Sequence, residues 1–246
     1  MGRLTPYLII SAISSFLRSQ KRRAECRLLG AIASVNARQP VAALTFDDGP
    51  HPEYTPRVLE TLARHQAHAT FFMVGEAARK YPELVRAVAE AGHAIGNHTW
   101  NHSPIPSLPR REFLAQIRAC QRAIAPYGDR LLRPPYGLQS LSSCLAARIE
   151  GYRLITWSAE IEDWREDDAQ RMATRLNDGL EPGAILLLHD AIYPGFDERE
   201  LLFDRQPMTQ ALDLFLGQNG GRFQFVTVPE VLKHGRPIRC VWEWEG

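Results

Sequence analysis

Two adjacent carboxylates, Asp47 and Asp48, run into Gly49-Pro50, and two histidines, His98 and His102, stand four residues apart. Histidines at that spacing reach one ion from a helical turn or from a loop of matching span. Such pairs also occur on solvated helices, so a third ligand is needed, and Asp47-Asp48 supplies two candidates. One carboxylate can bind a cation while the other stays free as a base. Two histidines and one carboxylate leave coordination positions open for water and a substrate carbonyl. Zinc is the first expectation for that set, and cobalt or another divalent transition metal also suits it. Asp-Asp-Gly-Pro would make an ordinary turn too. Adjacent carboxylates after a buried strand, however, persist most easily beside a cation or an arginine.

Three more polar clusters follow: Arg133-Pro134-Pro135-Tyr136-Gly137, then Glu160 with Asp163-Trp164, then His189-Asp190. His189 comes after four apolar residues and would serve as a packed core histidine or as a catalytic one. Its neighbour Asp190 and its place at the end of an apolar run favour catalysis.

The elements that must position these residues alternate. Runs rich in β-formers occur at 41–46, 70–74, 93–96, 130–132, 153–157, 184–188 and 223–228. Between them, 56–66, 82–91 and 110–125 carry apolar residues at helical spacing, such as Val58, Leu59 and Leu62, or Phe113, Ile117, Cys120 and Ile124. The unalternating run before His189 suits a parallel strand covered on both faces. Repeated β-then-α order predicts right-handed crossovers, a parallel sheet and an α/β fold. Seven units fit an incomplete (β/α) barrel, and no GxGxxG follows any strand to suggest a dinucleotide fold. Each polar cluster lies at the C-terminal end of a predicted strand, the face on which parallel barrels build active sites.

The formal charge of +1 gives no basic field that would draw nucleic acid. Cys26, Cys120, Cys144 and Cys240 lack ligand or CxxC spacing and read as packing residues of a reducing compartment. Residues 1–40 form a basic and apolar N-terminal extension, expected to be helical, ahead of one domain over 41–246. Its apolar run, 6–17, is shorter than the roughly 20 residues a spanning helix needs. The basic cluster follows that run, whereas a cleavable signal peptide carries its charge before it. Residues 4–23 therefore suit a helix packed on the domain, or an interfacial helix in peripheral contact with anionic lipid. The expected location is the cytoplasm, with or without that membrane contact.

Taken together and in order, TFDDGP at 45–50, HTWNH at 98–102, RPPYG at 133–137, EIEDW at 160–164 and LLH at 187–189 resemble the motifs of the NodB-homology polysaccharide deacetylases, carbohydrate esterase family 4. The resemblance runs from about Val41 to Val231 and implies a distorted (β/α) barrel. It implies Asp48, His98 and His102 as metal ligands, Asp47 as the base acting on metal-activated water, and Arg133 as the residue holding Asp47. It further implies His189 as the acid that protonates the departing amine, Asp163 as its partner, and the backbone N–H near Tyr136 as an oxyanion donor. Leu187 and Trp164 would wall the pocket for the acetyl methyl group. Glu160 departs from the family's usual Asp, which should alter the rim rather than the chemistry. The implied substrate is an N-acetylated amino sugar, in an oligosaccharide, a polysaccharide or a lipid-linked form. No room remains for a separate carbohydrate-binding module, which favours an oligosaccharide or a lipid-linked sugar. Two alternatives stand beside this: an amidase of the same barrel acting on a formamido sugar or cyclic amide, and a non-catalytic carbohydrate-binding barrel. His51, His65, His68, His93 and His234 read as surface or packing residues.

Overall fold

The computed structural model describes residues 29–193 and 204–240. The expectations for residues 4–23 and for Cys26 fall outside the described residues. The described chain begins with β1 (Ala31–Ala37) and β2 (Val41–Asp47), then α1 (Tyr54–Arg64), β3 (Ala69–Met73), α2 (Gly75–Lys80) and α3 (Pro82–Glu90). It continues through β4 (Ala94–Asn97), α4 (Arg110–Ala123), β5 (Gly128–Leu132), α5 (Leu141–Ile149), β6 (Arg153–Leu154) and β7 (Ala159–Glu160). The last elements are α6 (Ala169–Asp178), β8 (Ile185–His189), α7 (Gln206–Asn219), β9 (Gln224–Phe225), α8 (Val228–Val231) and β10 (Gly235–Cys240). No helix among the described residues is long and apolar enough to cross a membrane.

The sheet runs in the order β6-β5-β4-β3-β2-β8-β7, with β9 also on β2, and every pairing in it is parallel. All seven expected strand runs are present, and the sheet curls into the expected half-barrel. Beyond them the sheet gains β7, two residues long and too short to carry a period. β1 and β10 form a separate antiparallel pair. β1 lies within the segment set apart by sequence as an extension, yet it closes the barrel. The N–H of Thr156, beyond β6, donates to the carbonyl of Ile32 at 2.8 Å, and the N–H of Val35 donates to that of Gly183, before β8, also at 2.8 Å.

Strand alternation sorts the core into two faces. Leu44, Phe46, Phe71, Met73, Leu186 and Leu188 face outward, where they meet Val58 and Leu62 of α1 and Leu212 and Phe215 of α7. Val41, Ala43, Phe72, Leu131, Ile155 and Ile185 face inward and, with Ile32 and Val35 of β1, fill the floor of the barrel. Each such large side chain contributes roughly 1.5–3 kcal/mol on burial. Next along the inner face come Thr45 opposite Leu187, and then Asp47 opposite His189. The polar residues thus stand above an apolar floor. Gly96 is required there, because a Cβ on it would sit 2.5 Å from the Phe72 ring.

Candidate active site

Asp48 follows β2 in a left-handed conformation, φ 75°, so its side chain diverges from that of Asp47. His98 follows β4, and its Nδ1 donates to the Arg133 carbonyl at 2.8 Å, leaving Nε2 directed to Asp48 Oδ1 at 3.3 Å. His102 Nε2 approaches the same oxygen at 3.2 Å. Ligand atoms of Asp48, His98 and His102 all lie within 4.8 Å of one another, and all three residues are buried. Asp48 Oδ1 has no hydrogen-bond donor among the described residues. A buried carboxylate oxygen without a donor is costly unless a cation takes that place.

The protonation states agree. Burial opposes ionisation of Asp48, but the imidazoles of His102, His98 and His189 hold it well below the usual carboxylate range. Burial pushes His102 down to about 4, against the pull of Asp48. An ionised carboxylate and a neutral imidazole are the forms that bind metal. The residues fit a divalent cation.

Among the described residues six non-glycines have positive φ; Asp48, Thr99, His102 and Tyr136 belong to or border this centre, and Glu162 directly precedes Asp163. Each such residue costs of order 1–3 kcal/mol and persists only where its surroundings over-determine it.

Asp47 stands apart from the ligand set. Its Oδ1 accepts from Arg133 Nη1 at 2.7 Å, and its Oδ2 lies 3.6 Å from His98 Nε2. Arg133 is fully buried. Its Nη1 also donates to Thr45 Oγ1 at 2.7 Å, and its Nη2 to the Thr156 carbonyl at 2.9 Å. Its guanidinium lies 4.2 Å from the centroid of the Phe72 ring. A cation so placed holds one rotamer of Asp47 and offsets its charge.

On the other side of the cleft, His189 Nδ1 donates to Asp163 Oδ1 at 2.8 Å, and the His189 backbone N–H donates to Asp163 Oδ2 at 2.8 Å. This two-point grip leaves Nε2 for chemistry. Burial alone would lower the imidazole, but Asp163 and then Asp48 and Asp47 outweigh it, lifting His189 to about 9. Arg205, also buried, lies behind the pair with Nη1 3.6 Å from Asp163 Oδ2. Sequence reasoning misses Arg205, because it lies past the long stretch after His189 and belongs to no motif.

Asp190 is a second residue whose role the sequence leaves unassigned. Its carboxyl accepts from the Thr55 hydroxyl, and burial together with the charge of Asp48 pushes it up to about 7. It rests on Gly49, where a Cβ would come within 2.5 Å of it.

At the rim, Tyr136 is half exposed, with its ring 4.6 Å from that of His102. Trp164 is similarly exposed, with the Arg165 guanidinium 5.0 Å from its ring centroid. Leu187 is buried on the inner face, one step below His189. Glu160 ends β7 at the surface. The remaining histidines are structural or peripheral: His93 Nδ1 accepts from the Ala69 N–H at 3.2 Å, and His65 meets Asp213 at 2.8 Å. Cys120 and Cys144 are buried in separate apolar clusters, as packing residues.

Known proteins resemble this chain in sequence and in fold. A polysaccharide deacetylase family model matches residues 34–155, ending before Asp163 and His189. A chitooligosaccharide deacetylase of Azorhizobium caulinodans is 36% identical over 171 residues, covering 68% of this chain and 81% of that protein. A peptidoglycan-N-acetylglucosamine deacetylase of Bacillus cereus is 34% identical over 197 residues, covering 78% and 68%. The crystal structure of a peptidoglycan N-acetylglucosamine deacetylase superposes with a TM-score of 0.73 at 30% identity, covering 84% of this chain and 94% of that one. On its fold, on its ordered motifs and on these relatives, the chain belongs to the polysaccharide deacetylase family, the NodB-homology proteins of carbohydrate esterase family 4.

Proposed function

We propose that the chain is a metal-dependent hydrolase that removes the N-acetyl group from an N-acetylated amino sugar. The observation that carries this reading is the spatial separation of three functions in one cleft: a ligand set, a base and an acid. Asp48, His98 and His102 would hold the metal, zinc in the first instance. When bound, it supplies a Lewis acid that polarises the acetyl carbonyl and acidifies water.

Asp47, fixed by Arg133, takes the proton from the attacking water. Oxygen adds to the acetyl carbon, and the C–N bond then breaks. The departing nitrogen keeps the bonding electron pair and receives a proton from His189 Nε2. Amide hydrolysis stalls without that proton, because an amide anion is a poor leaving group. Tyr136 takes the oxyanion role through its backbone N–H, supported by its place beside His102. Trp164 and Leu187 border the acetyl methyl group. The products are acetate and the free amine.

This assignment fixes a pH dependence. His189 is protonated below about 9, so activity that needs the acid falls as pH rises through that region. A cation on Asp48 removes part of the pull on His189, which moves the alkaline limb downward. Asp163→Asn removes its largest stabilising charge, so the alkaline limb of kcat/KM is expected to move down further, with kcat falling about 10²-fold or more. A limb that stays in place in that variant would remove His189 as the acid.

The deciding assay measures acetate release from chitin oligomers, peptidoglycan and a lipid-linked N-acetylhexosamine. Loss on chelation and recovery with zinc or cobalt are expected. Formate release from N-formyl sugars in place of acetate would shift the assignment to a deformylase. Activity indifferent to chelation would overturn the metal-dependent mechanism.

A further inference from the structure

The metal-ligating set comes from two loops, and one short helix start joins them. The N–H of Val74, at the entry to α2, donates to the Gly49 carbonyl at 3.0 Å. The N–H groups of Gly75 and Glu76 donate to the carbonyls of Thr99 and Trp100 at 2.9 and 3.0 Å. The segment after Asp48 and the segment between His98 and His102 are thereby tied to α2. A third loop, the one that follows His189, reaches the same helix by a side chain, because the Tyr193 hydroxyl donates to Glu76 Oε2. The Tyr193 backbone N–H, in turn, donates to Asp48 Oδ2 at 3.2 Å. Its ring stands 6.3 Å from that of His102.

The two oxygens of Asp48 therefore have different duties. Oδ2 is held by the Tyr193 N–H, while Oδ1 lies 3.3 Å and 3.2 Å from the two histidine nitrogens. Holding the outer oxygen fixes the rotation of the carboxylate, which keeps the inner oxygen between the imidazoles. The backbone donor stays in place only if the Tyr193 segment does, and the bond to Glu76 is what fastens that segment to α2.

We infer that Glu76 and Tyr193 are positioning residues of the metal centre, a clasp that orients Asp48 through the backbone N–H of Tyr193. The inference rests on reading Asp48, His98 and His102 as the metal site. Partners of this outer kind are worth about 10–100-fold in metal affinity.

The test is zinc and cobalt affinity of the full-length protein, by competition with a chromogenic chelator. Tyr193→Phe removes one oxygen atom, and Glu76→Ala removes the acceptor. Each should weaken affinity about 10–100-fold. The double variant should be no worse than the weaker single, because the two act as one unit. Glu76→Gln keeps an acceptor and should fall between. Glu83→Ala, on the exposed face of the next helix, should match the wild type. Thermal unfolding of the metal-free variants checks that the fold is kept, and Tyr193→Phe stays informative if Glu76→Ala does not fold. Wild-type affinity in both Tyr193→Phe and Glu76→Ala would overturn the clasp while leaving the metal site standing. A wild type that binds neither ion would overturn the site, and the clasp with it.

Discussion

Asp47→Asn is expected to lower turnover by about 10²–10⁴-fold while the protein still binds its metal. Asp47 is outside the ligand cluster, and Asn keeps an amide oxygen able to accept from Arg133 Nη1 where the carboxylate now does, at 2.7 Å. What the substitution removes is the capacity to take a proton. His98→Ala is the companion experiment: it deletes a ligand and should lose metal and turnover together. Acetate release and metal content measured on the same preparations separate the two outcomes. Near wild-type rates in Asp47→Asn would show that another group acts as the base. Loss of metal in that variant would place Asp47 in the ligand set.

Arg133→Met is expected to cost stability as well as activity. Its guanidinium is fully buried, and its donors serve Asp47, Thr45 and the Thr156 carbonyl. Methionine fills similar space on the Phe72 ring but leaves Asp47 uncompensated in a poorly hydrated place. Breaking a buried pair from one side typically costs about 3–5 kcal/mol. For a domain of this size that corresponds to a Tm lower by roughly 10 °C. The metal-free protein is the one to melt, since a bound cation would mask the missing charge. The double variant Asp47→Asn/Arg133→Met removes both charges and should regain part of the loss. If it melts no higher than Arg133→Met, packing and the two lost neutral acceptor contacts explain the cost, and charge does not.

Much of this centre is legible in the sequence because chemistry and fold coincide there. β2 is buried along its whole length, so its run of apolar residues announces a strand, and Asp47-Asp48 marks where it ends. His98, Arg133 and His189 follow strands in the same way, and a parallel sheet brings such ends to one face. The misses share a different property. β7 has two residues and no period to detect. β10 contains Pro237 and alternates weakly, as an edge strand does, and its only described partner strand is about two hundred residues away in β1. Arg205, Glu76 and Tyr193 gain their roles from contacts with residues far away in sequence, and no local pattern encodes those. Arg205 looks like any arginine before a helix until Asp163 is found in front of it. Glu76 likewise reads as an acidic residue in the first turn of α2, where it would suit the helix dipole alone.

The pairing of β1 with β10 also decides how the molecule would carry load. Ala31 stands opposite Cys240, so β1 begins and β10 ends side by side, at the same end of one antiparallel ribbon. Tension drawn through Ala31 and Cys240 would open that ribbon like a zipper, from those two residues inward, meeting its hydrogen bonds a few at a time rather than all in shear. β1 also holds Thr156, just after the edge strand β6, and Gly183, just before β8. The first casualty of pulling would therefore be the seam of the barrel, before any strand that carries a ligand, the base or the acid felt the force.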